Sequence, residues 1–375
     1  MIKNASGKVK LGKNTFVKAI SKIDWVLWTL IALVGACGLI NLFSATHGTV
    51  HQIKFENQLM WFALGFSLMF ALTIIDYRNL QKLAWISLGC VVVMILAVKV
   101  FSSPIKGSTR WLLVGGIRVQ PSEMAKIALI LVTARLLHRS SEKGGSLVDY
   151  LPQCAGLTLP ILLVLWQPDL GSSSLCALIV LSMAVVLAIK IWPFFVGGGL
   201  GVLSLPLFWT TMEEYQKGRV RAFLGWVDKK SGATWQTDQS LNAVGSGQFW
   251  GKGFQNATQN QYEFLPEHWT DFPFSVWAEE WGFMGSVALL GLFFLLILWI
   301  LGISLQVRDR FGQAICVGVS AMIFWHLLIN VMMVTGMAPV VGVTLPLISY
   351  GGSSMVTFFI ALGLVSSVSS RRKRL

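Results

Sequence analysis

Apolar residues run along this chain in long blocks separated by short polar turns. The blocks fall near residues 25–45, 57–75, 83–101, 122–138, 151–167, 171–189, 191–209, 275–303, 314–335 and 350–369. A helix rises about 1.5 Å per residue, so roughly 20 apolar residues cross the hydrocarbon layer of a bilayer. The pattern therefore predicts an all-α polytopic membrane protein of about ten transmembrane helices. One large extracytoplasmic loop, 210–274, separates the seventh and eighth blocks.

Composition agrees. Of 375 residues 54% are hydrophobic and 13% charged, where a soluble domain carries about a quarter charged. The net charge of +13 would suit a nucleic-acid binder, but its distribution marks topology instead. Lys3, Lys8, Lys10, Lys13, Lys18 and Lys22 precede the first block, and Arg371, Arg372, Lys373 and Arg374 end the chain. Under the positive-inside rule both termini are expected in the cytoplasm. The intervening inner loops then hold Arg78 and Lys82, Arg135, Arg139 and Lys143, Lys190, and Arg308 and Arg310. This divides the chain into a basic tail (1–24), a single transmembrane domain (25–370) and a second basic tail (371–375). The first block is long enough to span and lacks a small-residue cleavage site, so it reads as an anchor and not a signal peptide. Cys37, Cys90, Cys154, Cys176 and Cys316 fall in or beside apolar blocks without metal-ligand spacing, and are expected as small core residues.

Two outer segments break the charge rule. Residues 102–121 carry Lys106, Arg110 and Arg118; residues 210–274 carry Lys217, Arg219, Arg221, Lys229, Lys230 and Lys252. Long loops cross the membrane whatever their charge, which accounts for the second segment but not the short first one. An anionic ligand on the outer face accounts for both. Trp226, Trp235, Trp250 and Trp269 in the long loop predict partial structure at the interface. Within it GSGQFWGKG (Gly245 to Gly253) has the look of a phosphate loop, but no strand precedes it. A tight backbone turn or a close ligand approach both remain open there. GGGLG (Gly197 to Gly201) lies inside a block and suits close helix packing.

The acidic residues gather at the end of that loop. Gln261 to Gly285 holds Glu263, Glu267, His268, Asp271, Glu279 and Glu280 beside several aromatics, at the mouth of a span. Carboxylates so placed are expensive unless they serve a function, and one in partly apolar surroundings is suited to act as a base. Glu123 and Lys126, three residues apart, share one helical face, and Asp169 stands in the turn QPDLG. These charges either line a cavity or lock helices together. His326 has no acidic partner in sequence and is expected as a core residue. From Asn330 to Ser354, Pro339, Pro346 and four glycines interrupt the apolar run, predicting a bent, re-entrant connection that lines a cavity.

Taken together, KGSTRWL, RVQPSEMAKIA, QPDLGSS, FLPEHWTDFPFSVWAEEWG and PVVGVTLPLISYGGSS resemble the signature segments of the SEDS family (shape, elongation, division and sporulation). The resemblance runs from about residue 25 to 370. The PVVG at Pro339 to Gly342 resembles the elongation (RodA-type) branch more than the division (FtsW-type) branch. Thr344, where that branch often has proline, and Pro273, Trp269, Trp277 and Trp281, where aliphatic residues are usual, depart from the pattern. None removes a charged motif residue.

The resemblance implies a peptidoglycan glycosyltransferase of the bacterial inner membrane that polymerises lipid II, with Asp271 as the essential acid. It implies an inverting transfer: Asp271 takes the proton of the acceptor hydroxyl, which attacks the donor's anomeric carbon opposite the lipid diphosphate. Candidate substrate-binding residues are Lys106, Arg110, Lys126, Arg219 and Arg221 around the diphosphate, with Glu123, Asp169, Glu267 and His268. A divalent cation (Mg2+ or Mn2+) can share that work, although the sequence shows no dedicated cage. The implied partners are a class B penicillin-binding protein and other membrane proteins of the elongation machinery; nucleic acid is not among them. Two other classes fit parts of the chain. A lipid II flippase or other transporter would use the buried charges and broken helices, and a non-catalytic scaffold would not need Asp271 at all.

Overall fold

The computed structural model describes residues 22–47, 51–102, 110–143, 151–187, 209–210, 212, 214–226, 232–257 and 269–372. Long apolar helices dominate it: α1 (Trp25–Thr46), α2 (Ile53–Ile74), α3 (Tyr77–Phe101), α4 (Pro121–Lys143), α5 (Leu151–Trp166) and α6 (Leu170–Val186). Two shorter helices, α7 (Glu214–Phe223) and α8 (Gly232–Ser246), precede α9 (Pro273–Gln306), α10 (Arg310–Val334) and α11 (Gly352–Ser370). Six of these, α1, α2, α3, α9, α10 and α11, are long and apolar enough to cross a membrane, and α5 and α6 supply shorter apolar segments. The predicted seventh span, 191–209, lies outside the described residues except for Trp209, as does the GGGLG segment.

Aspartates start four of the helices. Asp24, Asp76, Asp169 and Asp309 accept from the backbone N–H of Leu27, Arg78, Ser172 and Gly312 at 3.0–3.2 Å. Each satisfies one of the donors that a helix start leaves without an internal partner. Nearly all of α11 is buried, and Gly65 of α2 meets Phe359 on it so closely that a Cβ would overlap the ring. Small residues at such crossings let helices approach in lipid, where packing replaces the hydrophobic drive. Outward-facing apolar side chains on α3, such as Val93 and Val100, present a lipid-compatible surface. Cys176 and Cys316 are buried and Cys37 half-buried, but Cys90 is exposed on α3, so its apolar neighbours are to be sought in lipid and not in the protein core. Cys154 lies where side chains are not described.

Three expected loops turn out to be built. Residues 112–119 form a hairpin, β1 (Leu112–Val114) against β2 (Ile117–Val119), with Leu112 opposite Val119. Gly115 and Gly116, both at positive φ (+57° and +82°), make the two-residue turn that matches strand twist. Ser353 Oγ at the start of α11 donates to Arg118 O and accepts from Gln120 N. The 210–274 loop contains α7, α8 and a docked turn described below. The C-terminal tail does not begin at 371 as expected: Arg371 donates to Thr73 O and Ile74 O at the end of α2, and Arg372 meets the buried Asp24 carboxylate at 2.8 Å. Arginine suits this, since its fork reaches several carbonyls at once.

Candidate active site

Asp271 closes a short turn, 269–271, that leads through Phe272 into α9 with Pro273 at its first position. Three consecutive residues of that turn are fastened to the re-entrant segment and to α10, the helix that precedes it. Trp269 O accepts from Tyr350 N at 2.8 Å, Thr270 O from Ser349 Oγ at 2.6 Å, and Asp271 O from Asn330 Nδ2 at 2.9 Å. Ser349 Oγ also accepts from Leu345 N, and Gln58 on α2 brackets the same stretch through Ser349 O and Gly351 N. The Asp271 side chain is half-buried. It faces Gly342, where an added Cβ would stand 3.7 Å from Oδ2 and the φ of +72° already favours glycine. On the other side of the turn, Lys54 Nζ sits 3.0 Å above the Trp269 ring and His51 packs against it. Sequence reading missed His51 and Lys54, since nothing local to residues 51–54 signals that α2 begins against residue 269.

The re-entrant segment has little regular structure over 338–351, so its carbonyls depend on outside donors. Asn330 Nδ2 reaches Val343 O at 2.7 Å as well as Asp271 O. One turn earlier on α10, His326 Nδ1 bonds Thr344 O at 2.9 Å, and its Nε2 lies 2.9 Å from Lys126 Nζ. Lys126 in turn meets Glu123 Oε1 at 2.7 Å. Glu123 and Lys126 therefore share a helical face as expected, but both are buried, Lys126 at 0% exposure. Its ammonium is held by Glu123 and His326 and does not face an open cavity. His326, expected as an inert core residue, is the partner that connects this pair to the re-entrant segment.

A cationic cluster occupies the opposite end of that segment. Arg219 on α7 donates to Val340 O at 2.8 Å. Arg110 donates to Gln167 O and Pro168 O and lies 3.8 Å from Asp169 Oδ1, while Asp169 caps α6 and accepts from Gln120 Nε2. Arg110, Pro168, Gln216, Arg219, Pro339 and Val341 line a small pocket of about 30 Å3. Arg219 also borders a cleft of about 120 Å3 with Thr237, Asp238 and Gly336. Arg221 does not join them: it pairs with the exposed Glu214 at 3.4 Å and stacks over Trp209. Two residues apart on a helix point to different faces, which the grouping of Arg219 with Arg221 overlooked. Lys106, Glu263, Glu267 and His268 lie outside the described residues.

The glycine-rich turn of the long loop has a purpose inside the protein. Helix α9 breaks at Gly282 (φ 63°, ψ −160°), and Gly245 to Gly253 docks on the break. Lys252 N and Gly253 N donate to Glu279 O and Glu280 O, while Phe283 N and Met284 N donate to Gln248 O and Phe249 O. The open alternatives for GSGQFWGKG thus resolve to a backbone turn whose close partner is the chain itself. Lys252 Nζ pairs with buried Glu279 at 2.6 Å, and buried Glu280 accepts from Ser44 Oγ. Among the described residues no group of three or more His, Cys, Asp or Glu is placed to hold a metal ion.

The profile of the FtsW, RodA and SpoVE family, described as cell cycle proteins, matches residues 23–374. The chain belongs to this family. It is the SEDS family, whose members include RodA-type and FtsW-type proteins, and the chain is a multi-pass inner-membrane protein. It is 36% identical over 369 residues to the peptidoglycan glycosyltransferase MrdB of Escherichia coli K12, covering 97% of both chains. Relatives named FtsW also match, at 28–31% identity. Among solved structures, the chain resembles a chain of a peptidoglycan synthase complex that coordinates polymerization and crosslinking, at TM-score 0.77 and 30% identity over 92% of this chain and 97% of that one. It also resembles the rod shape determining protein RodA of Thermus thermophilus, at TM-score 0.72 and 28% identity over 94% and 98%. The fit is RodA-type.

Proposed function

We propose that this chain is a peptidoglycan glycosyltransferase that polymerises lipid II on the outer face of the cytoplasmic membrane during elongation and rod-shape maintenance. One observation carries the reading: a half-buried carboxylate, Asp271, is held by backbone bonds at the head of an apolar helix, beside a broken segment whose other end carries arginines. A lipid-linked diphosphate sugar needs those parts together: an apolar surround for its tail, cations for its head and a base for the acceptor. Family membership and the MrdB relative support the same reaction.

In the proposed reaction Asp271 accepts the proton of the acceptor's GlcNAc 4-hydroxyl. The oxygen forms a bond to the donor's MurNAc anomeric carbon as the bond to the diphosphate oxygen breaks, inverting the centre. The departing diphosphate is a good leaving group, so it needs charge stabilisation more than protonation. Arg110 and Arg219 are suited to give it through bidentate contacts. In the present arrangement both are engaged with backbone carbonyls. The headgroup therefore takes the place of the Val340 carbonyl on Arg219 as it enters. The proposed orientation places both termini in the cytoplasm and Asp271 outside. The proposed partner is a class B penicillin-binding protein, consistent with a solved neighbour that is part of a synthase complex.

The deciding experiment reconstitutes the full chain with labelled lipid II, alone and with such a partner. Glycan polymer is the expected product. Movement of intact lipid II across the bilayer without polymer would replace this reading by a transporter.

A further inference from the structure

The proposed reaction leaves the Glu123–Lys126 pair without a task, since both side chains are buried away from any open space. Their side-chain hydrogen bonds lead towards Asp271 through an imidazole. We propose that His326 is a positioning residue for the transfer: it ties the Glu123–Lys126 pair to the Thr344 carbonyl and thereby fixes the seat of Asp271. The inference rests on the glycosyltransferase reading and states how the α4 pair serves it, through His326 and not by touching lipid.

The chemistry of the partners determines the form of the ring. An ammonium only donates, so Nε2 accepts from Lys126; a carbonyl only accepts, so Nδ1 carries the hydrogen donated to Thr344 O. Only a neutral imidazole with its hydrogen on Nδ1 does both. Phe358 packs edge-on at 5.0 Å and holds the ring plane. His326 and Asn330 stand one turn apart on α10 and grip consecutive carbonyls, Thr344 and Val343. Asn330 carries the same grip on to Asp271 O. Next to the gripped carbonyls is Gly342, held at a φ of +72° and facing the Asp271 carboxylate, whose Oδ2 would lie 3.7 Å from a Cβ placed there. The side-chain ends of the network are fixed too, since Thr344 Oγ1 shares a hydrogen bond with Ser354 Oγ at 2.9 Å. Shifting the Thr344 carbonyl therefore shifts the wall against which the base is aimed. Closed between a lysine and a backbone carbonyl, His326 holds position and carries no proton to substrate.

The test uses the full chain in bilayer discs with labelled lipid II, and reads both kinetics and amide exchange across 339–351. His326→Leu should lower kcat by about 10–100-fold with KM within about 2-fold, the signature of a misplaced group and not of lost ligand contact. Exchange in 339–351 should rise by about 10-fold or more as the carbonyl grip is lost. His326→Gln, whose amide both donates and accepts, should restore kcat to within about 3-fold with an unchanged pH profile. Lys126→Met combined with His326→Leu should be no worse than the poorer single variant, because both lie on one route. Should the Leu variant not accumulate, His326→Asn, too short to span both partners, carries the same expectation. Wild-type kcat and exchange in the Leu variant would overturn the proposal. So would a raised KM at unchanged kcat, which means ligand contact, or a Gln variant with a shifted pH profile, which means proton transfer. A wild-type chain that makes no polymer either alone or with the partner sinks the glycosyltransferase reading itself, and the exchange measurement still decides the tie.

Discussion

The side-chain nitrogen of Asn330 donates to the backbone carbonyl of Asp271 at 2.9 Å, from a residue one helix away and 59 positions later in the chain. The same nitrogen holds Val343 O at 2.7 Å, so one amide fastens the acid to the segment that faces it. Asn330→Leu keeps most of the volume and removes both bonds. Each buried carbonyl left without a donor costs about 1–3 kcal/mol. The variant should melt lower in detergent and make polymer more slowly, while Asn330→Asp, which has no amide hydrogens, should be no better. Unchanged melting in both would mean that water replaces the amide.

Asp271→Asn preserves shape but cannot take the acceptor's proton. General-base catalysis contributes about 10²–10⁴-fold, and polymerisation should fall by at least that much in a chain that folds normally. Glu280→Gln is the control. Its carboxylate is buried against Ser44, nine positions along α9 from Asp271 and beyond the first turns of that helix, and an amide accepts from Ser44 equally well. If losing either charge proved equally harmful, the field of the acidic cluster and not the position of one base would be the cause.

The docked turn gives a comparison between two glycines. At Gly251 (φ +83°) a Cβ would run into the Glu280 carbonyl, whereas at Gly253 (φ +93°) it meets only Asn256 Nδ2 at 3.2 Å. Both alanine variants meet the left-handed penalty of about 1–2 kcal/mol, but Gly251→Ala must also push the turn off the α9 break. It should show the larger loss of melting temperature and faster proteolysis in the 227–268 region. Equal effects would mean that the turn is not clamped on the break.

Lys252 and Glu279 should behave as a pair. Lys252→Met leaves a carboxylate of 1% exposure without its closest cation. With the lysine itself partly in water, the loss is expected at about 1–3 kcal/mol. Adding Glu279→Gln should recover much of it, since a neutral amide in that place no longer needs the ammonium. A double variant that melts no higher than Lys252→Met would show that the two contribute independently.

Much of this architecture was legible in the chain because membranes make few demands and make them strictly. Blocks of about 20 apolar residues placed α1, α2, α3, α9, α10 and α11 to within several residues, and Pro339, Pro346 and the glycines correctly announced a broken segment. Glu123 and Lys126 could be paired from spacing alone, since helix geometry is local. What spacing could not supply was the third dimension. His326 lies 200 positions from Lys126, and Lys54 more than 200 from Trp269, so neither partnership leaves a mark in the neighbouring sequence. The glycines of the docked turn left a tight turn and a ligand approach both open, because a break in α9 at Gly282 cannot be told from an ordinary helical glycine. The hairpin at 112–119 did carry a signal, paired glycines between two short runs rich in branched apolar residues.

The sequence groups Arg110 and Arg219 alike as ligands of the lipid diphosphate, and the structure separates the two. Arg110 holds the carbonyls of Gln167 and Pro168 and faces Asp169, which caps α6. Arg110→Ala should therefore lower the melting temperature as well as substrate affinity, and Arg110→Lys should rescue only part of the first, because an ammonium lacks the fork that reaches two carbonyls. Arg219 donates to Val340 O, at the edge of an open cleft. Arg219→Ala should leave melting nearly unchanged and weaken lipid II binding by about 1.5–3 kcal/mol, the range for hydrogen bonds to charged groups. That is about 10–100-fold in Kd. Arg221, paired with Glu214 on another face of α7, is the internal control, and Arg221→Ala should change Kd by less than about 3-fold. Binding of a labelled lipid II analogue and thermal melting, read on the same four variants, decide between the roles. Equal loss of affinity at Arg219 and Arg221 would mean that the loop attracts the headgroup by net charge alone, and the exchange of the Val340 carbonyl for a phosphate oxygen would have to be given up.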